Sequence, residues 1–577
     1  MKRNCHLRVL LTLLALLSAR ASVLADDESS AARASTPPHE PRVFFYDDGR
    51  HGSPLYQFAP PLTPADFVFT VDQLVGTGVD TLIYSAGLEG GALHYDSPFG
   101  QTWGENVDIW THEIFYRASR NLHQLIRDGH DPLQLICDRC HQTGIWFVPT
   151  LPVCITGTDR ATQGGLGRTS DFAYRTELQV GEDSDPRAEK NGRFFKEQRL
   201  NFIHAEVREE RFRLFKELLT RYESDGVELD LSIDNEFGPI CRFDQLEKLA
   251  PLLTKWIGDL RQVARQAEQE QGRRKRIYVR IPAASEDVWR TLGFEVQTWI
   301  DQGLVDGLVC LTTNRTPGTA MLDQDLDLAA ALKAAEGSDV RVLAGFEGPL
   351  GTTQNQEATP SMIWAAAANA YAGGADGFGI CMGMWAPHGW PWINDQYATL
   401  RLLGQPDLLA TADKTYRALS RMNREPVGLF QPTGTVLPSL LKEGESLEVR
   451  LMIADDVARH HQEGKLESVR LRVHLTNFEL GLNTARVEWN GRELPESLLE
   501  PSDLHFRLIK NGVAAPYGYV FDYNLNSELF PVRGENRVKV TLVKRDPKLD
   551  LRVDLNDVHC TIKYRVHRHF QHVPVEY

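Results

Sequence analysis

Hydrophobic positions along this chain come in short runs separated by longer amphipathic stretches. The runs are RVFFYDDG (42–49), DTLIYSAG (80–87), GIWFVPTLP (144–152), GVELDLS (226–232), KRIYVRIP (275–282), VDGLVCLTT (305–313), VRVLAGFEG (340–348) and DGFGICMGM (376–384). Between them lie segments of helical period, such as AEVREERFRLFKELLTRY, FDQLEKLAPLLTKWIGDLRQVARQAEQE and SMIWAAAANAYAGG. Strands that alternate with helices pair in parallel through right-handed crossovers. Eight such units predict a (β/α)8 TIM barrel, with a doubly wound sheet as the alternative.

The pattern changes near residue 425. From Ser446 onward the chain reads SLEVRLMIAD, SVRLRVHLTNFE, ARVEWNGREL, HFRLIK, YGYVFDYN, NRVKVTLVKRD and LRVDLNDVHCTIKYR. VRLRVHLT alternates strictly, the mark of a strand buried on one face. Asn490-Gly491 is a strong hairpin turn. These segments predict an antiparallel β-sandwich over 426–577, after a barrel over 41–425. The N-terminus has a different character. Lys2 and Arg3 precede the apolar run VLLTLLALL, and Val23-Leu24-Ala25 is a small-residue exit. Residues 1–25 therefore read as a secretory signal peptide, too short in its apolar run to span a bilayer. Residues 26–40 are polar and proline-rich and read as a flexible leader. The expectation is an exported protein, whether periplasmic, extracellular or surface-associated, with no later transmembrane segment.

Charge narrows the partners. The 577 residues carry a formal net charge of -15, and the first 25 are basic, so the remainder is more acidic still. An acidic surface argues against nucleic acid and anionic membranes and suits a neutral ligand such as a carbohydrate. Seven cysteines remain after Cys5, an odd number that forms no disulfide framework. Cys137-x-x-Cys140 lies in a segment of helical pattern and reads as a pair of helix cysteines. No metal site and no cofactor are implied.

Candidate chemistry centres on DGVELDLSIDNEFGP (225–239). Val227, Leu229 and Leu231 alternate with Glu228, Asp230 and Ser232. In a barrel one set faces the helices and the other the interior. Arg280 shares the inward face of the next strand with Tyr278, which makes it a natural neighbour of Glu228 or Asp230. Arg341, Leu343, Gly345 and Glu347 share the inward face of strand seven. Asp230 and Glu236 near the end of strand four, and Glu347 at the end of strand seven, then form a constellation of carboxylates at the C-terminal mouth. Two carboxylates facing each other there are what glycosidic bond cleavage requires. The competing reading is an interior salt-bridge network of Glu228, Asp230, Arg280 and Arg341. Trp385, Trp390, Trp392 and His388 follow strand eight, and Trp103 and Trp110 follow strand two. Flat aromatics suit sugar faces, although loop packing is the default for any single one. Asp47 and Asn314 end strands one and six, where they would bind hydroxyl groups or cap the next helix.

The run Leu200 to Pro239 resembles the segment around strand four of glycosyl-hydrolase-like barrels related to glycoside hydrolase family ten. The matching residues are Asn201, Val207-Arg208, Tyr222, Asp225-Gly226-Val227 and Leu229-Asp230. The resemblance implies a barrel that acts on polysaccharides, with Asp230 in the functional position of strand four, and a C-terminal domain of accessory type. It departs after Asp230, where Leu231-Ser232-Ile233-Asp234 replace an Arg and an aromatic. Asn235-Glu236 also resembles the acid/base pair of the large retaining-glycosidase clan, with Glu347 as nucleophile, so both pairings, Asp230 with Glu347 and Glu236 with Glu347, stay open. A non-catalytic carbohydrate-binding protein on the same barrel is the alternative. A metal-dependent hydrolase would want His-x-His at the end of strand one, where FYDDGRHG stands instead. A lyase would need a His or Tyr base beside a charge-neutralising Arg.

Overall fold

The computed structural model describes residues 40–50, 53–181, 198–232, 240–312, 315–316, 319–320, 322–346, 349–350, 356–380, 394–420, 435–503 and 518–565. Eight parallel strands close a barrel: β1 (Val43–Asp47), β2 (Thr81–Ser85), β3 (Trp146–Pro152), β4 (Gly226–Asp230), β5 (Arg276–Pro282), β6 (Gly307–Leu311), β7 (Arg341–Phe346) and β8 (Gly377–Ile380). Each pairs with its sequence neighbours, and β1 closes on β8. Each of the eight runs read from the sequence contains one of these strands.

Strand alternation divides the residues as a closed barrel requires. Phe44, Ile83, Val148, Tyr278, Val309 and Leu343 pack together inside, with Tyr46 above them. Val227, Leu229, Leu231, Ile277, Val279 and Ile281 belong to the larger core between strands and helices. The helix Ala205–Thr220 buries Val207, Leu214, Phe215 and Leu218 against that layer, and the helix Leu246–Gln271 buries Leu249, Leu253, Trp256, Leu260 and Ala264. The helix Pro132–Thr143 starts on Asp131, whose carboxylate accepts the N–H groups of Leu133 and Gln134, and it ends on Gly144 at φ 75°. Cys137 and Cys140 lie on its buried side as free thiols. Burial pushes Cys137 up to about 12 and Cys140 upward as well, so both are inert core residues. Among the described residues no group of His, Cys, Asp and Glu is arranged to hold a metal, and no helix is long and apolar enough to cross a membrane.

Gly226 starts β4 at φ 149°, and a Cβ there would lie 2.0 Å from the Arg276 carbonyl oxygen. Only glycine fits so tight a pairing with β5. Gly226→Ala should lower stability by about 1–3 kcal/mol, read as a reduced urea midpoint.

Past the barrel, the antiparallel strands are β9 (Lys414–Arg417), β10 (Ser439–Leu440), β11 (Ser446–Ile453), β12 (Leu466–Thr476), β13 (Thr484–Trp489), β14 (Arg492–Glu493), β15 (Leu499–Asp503), β16 (Gly518–Asn524), β17 (Gly534–Lys544) and β18 (Asp554–Tyr564). One sheet runs β9-β18-β12-β16-β15 with β10 on β18, and the other runs β11-β17-β13-β14. Leu451, Leu471, Val473, Trp489, Phe521, Val538, Val540 and Ile562 fill the space between them. Asn490 and Gly491 turn the β13–β14 hairpin with φ 50° and 78°, the left-handed values a two-residue turn needs. The sheet takes its first strand, β9, from ahead of the expected boundary at 426. KTYR is too short to show a period, and Lys414 is buried in the sandwich beside Asp455 at 3.1 Å.

The two parts are joined by hydrogen bonds as well as by chain. The Gln324 side chain donates to the carbonyls of Met362 and Thr415 at 2.8 and 3.0 Å and accepts the Arg417 N–H at 2.6 Å. Asn369 donates to the Met452 carbonyl at 2.8 Å, and Arg450 pairs with Asp325.

Candidate active site at the barrel mouth

The site begins with the register of two neighbouring strands. Glu228 pairs across to Tyr278 and Asp230 to Arg280. Glu228 is fully buried inside the barrel, and Asp230 ends β4 at the C-terminal face. The buried Arg280 side chain reaches down the barrel instead of straight across. Its Nη2 donates to Glu228 Oε1 at 2.7 Å, while its Nη1 stays 3.9 Å from Asp230 Oδ2. The Tyr46 ring stacks on the guanidinium, 4.1 Å from the ring centroid to Cζ, a cation–π contact. Asp230 Oδ1 accepts the Ser232 N–H at 2.9 Å, which fixes the carboxylate at the mouth.

The electrostatics follow from burial. Loss of water pushes Glu228 above the usual carboxylate range, against the pull of Arg280. Burial likewise drives the Tyr46 hydroxyl upward, so Tyr46 stays a neutral phenol beside three carboxylates, Asp48, Glu228 and Asp230.

A second polar group lines the adjoining mouth segment. Asp47 Oδ1 accepts the Gly49 N–H at 2.8 Å and Asp48 Oδ1 accepts the Arg50 N–H at 2.7 Å, closing the turn after β1. Arg50 reaches Asp48 and Glu89 at 3.5 Å each, and Arg168 holds Glu89 at 2.8 Å. Beneath them His94 is buried, its Nδ1 2.9 Å from the Ser85 carbonyl oxygen. Burial lowers it to about 4, so the ring is a neutral donor through Nδ1.

Of the residues singled out from the sequence, the structure brings Asp230 and Arg280 together, with Glu228 between them and the interior. Asp47 is buried at the end of β1, and its neighbour Tyr46 is the residue that packs on the interior face. Arg341 lies at the opposite end of the barrel, where it donates to the carbonyls of Pro41 and Asp376, and it takes no part in the Glu228–Arg280 pair. Trp103 is fully buried, donates to the Leu166 carbonyl at 3.1 Å and packs on Tyr56, His94 and Phe115. It is core of the insertion and presents no face to a sugar. Trp110 is half-buried against Tyr116. Glu236, Glu347, Asn314, Trp385, His388, Trp390 and Trp392 lie outside the described residues. Sequence reasoning missed His94, Glu89 and Arg168. Tyr46 stands in the polar cluster that ends strand one, Tyr46-Asp47-Asp48, and follows Phe44 at the period of the strand.

The residues that carry the family resemblance divide into scaffold and site. Asn201 accepts the Ile203 N–H and donates to Gln245, Arg208 donates to the carbonyls of Phe202 and Ile203, and Tyr222 donates to Asp131. These contacts fix the helix before β4, and Asp230 alone of the set reaches the mouth.

No protein-family model matches this chain, and no curated protein matches it in sequence. Solved structures do. A cycloisomaltooligosaccharide glucanotransferase from Paenibacillus sp., complexed with cycloisomaltoheptaose, is 9% identical with a TM-score of 0.32, over 90% of this chain and 57% of that one. The PgaB (BpsB) glycoside hydrolase domain from Bordetella bronchiseptica is 10% identical with a TM-score of 0.37, over 59% of this chain and 94% of the domain. A putative alpha-L-fucosidase from Bacteroides thetaiotaomicron is 11% identical with a TM-score of 0.31, over 91% of this chain and 95% of that one. This chain thus spans little more than half the length of the first of them. At these identities and scores the likeness assigns neither substrate nor residue.

Proposed function

We propose that this protein is an exported glycoside hydrolase that cleaves a poly- or oligosaccharide with two carboxylates at the barrel mouth. Asp230 and Glu347 form the pair, with Glu236 as the alternative partner of Glu347. The observation that carries the reading is the setting of Asp230. It ends a strand at the face where barrel enzymes keep their chemistry, its Oδ1 is oriented by the Ser232 N–H, and its Oδ2 is beyond hydrogen-bond distance of Arg280. A carboxylate so held can exchange a proton with a glycosidic oxygen or a water. Its partner attacks the anomeric carbon or activates water. Neither role calls for a metal or cofactor. Trp385, Trp390, Trp392, His388 and Asn314 are assigned to sugar contacts in this reading, and the first 25 residues to export. The resemblance of Leu200–Pro239 to family-ten-related barrels supports the same substrate class.

The test is release of new reducing ends from a panel of soluble polysaccharides. The wild-type protein should release them. Glu347→Gln should cut the rate by about 10²–10⁴-fold, and Glu236→Gln should do the same only if that residue is the partner. A wild-type protein that binds a glycan on the panel and cleaves none would overturn the enzyme reading in favour of a binding protein.

A further inference from the structure

We propose that Glu228 is a positioning residue for the reaction at Asp230: it draws the Arg280 guanidinium down into the barrel and holds it beyond hydrogen-bond distance of the Asp230 carboxylate. The inference rests on the reading that Asp230 acts on substrate, and it adds how that carboxylate is kept available.

Three observations converge on it. The first is register. Asp230, and not Glu228, lies directly opposite Arg280, so the default cross-strand ion pair would be Arg280 with Asp230. The structure has the diagonal pair instead, at 2.7 Å against 3.9 Å. The second is the Tyr46 ring on the guanidinium, which fixes the plane of Arg280 from the β1 side. The third is that the arrangement is a poor one if stability were its purpose. A buried ion pair is commonly matched or bettered by apolar residues of the same volume. Glu228 also leaves Oε2 without a hydrogen bond among the described residues. The pair makes sense as a means of placing charge. Arg280 remains near enough to favour a developing negative charge on Asp230, yet too far to occupy a lone pair that the substrate proton needs.

Among the described residues, the charged and titratable groups facing Glu228 are Arg280 from β5, Asp230 from β4 and Tyr46 from β1. If Glu228 loses its charge, Asp230 becomes the nearest anion to Arg280 among the described residues. The guanidinium then swings to Asp230, seals it in an ion pair and holds it ionised.

The test uses Glu228→Gln, which keeps shape, and Glu228→Asp, which keeps charge, each in the full chain. In a crystal structure of Glu228→Gln the Arg280–Asp230 contact should close from 3.9 Å to about 2.9 Å. In rate measurements kcat should fall more than KM changes. Glu228→Asp should restore both the separation and kcat. If Arg280 stays where it is in Glu228→Gln, the proposal is overturned, whether or not an activity is found. If the wild type cleaves no glycan, the hydrolase reading fails, and the movement of Arg280 still decides this one.

Discussion

Replacing Arg280 by methionine should lower the unfolding free energy by about 3–5 kcal/mol. Glu228 is fully buried, and Arg280 is the cation bonded to it. Methionine fills much of the arginine stem but leaves a carboxylate in the barrel without a counter-charge. The double variant Glu228→Met, Arg280→Met removes both charges, and it should recover most of the loss. The loss should also depend on pH, with a definite sign. Burial holds Glu228 above its unfolded value, so the native state binds its proton more readily than the unfolded chain. Stability from this group therefore falls as pH rises between the two values. Removing Arg280 raises the native value further and steepens that fall. Urea unfolding of the single variant should show its largest deficit near neutral pH and a smaller one in acid, where Glu228 is protonated in both states. An equal deficit at both would mean that the cost comes from lost packing rather than from an uncompensated charge.

Asp230→Asn should reduce hydrolysis by at least the 10²–10⁴-fold typical of a lost acid or base while the barrel stays folded. Asparagine has the same shape as aspartate, and its oxygen can still accept the Ser232 N–H that orients the native side chain at 2.9 Å. What it loses is the capacity to give or take a proton. The comparison must therefore show a fall in kcat with an unchanged thermal midpoint. A variant that keeps its rate would remove Asp230 from the chemistry and leave Glu236 with Glu347 as the pair to pursue.

The barrel was legible because its strands are short, apolar and evenly punctuated by helices, a pattern few topologies accommodate. The division of β4 was legible for the same reason: a period of two sends Val227 and Leu229 one way and Glu228 and Asp230 the other. That Arg280 should meet these carboxylates followed from the equivalent alternation in β5. The choice it makes between them did not, because register alone favours Asp230 and only the packed interior, with Tyr46 above and Glu228 below, turns the side chain downward. The Glu89–Arg50–Arg168 group was hidden for another reason. Its members sit on separate loops, and nothing local in the chain marks that they meet. Trp103 follows the default for a single aromatic: the insertion needs a core of its own, and Trp103 supplies it. β9 joins the sandwich's sheet from ahead of residue 426, and the sequence does not announce it, because four residues are too few to declare a period and its partner β18 lies far along the chain.

The most direct test of the central claim is the distance between the Asp230 and Glu347 carboxyl groups in a crystal structure with an oligosaccharide bound across the mouth. The account predicts that the scissile oxygen lies between them, with a separation of about 5–5.5 Å for retaining hydrolysis or about 6.5–9.5 Å for inverting hydrolysis. A sugar seated elsewhere, or a separation outside both ranges for Glu347 with Asp230 and with Glu236 alike, would contradict it.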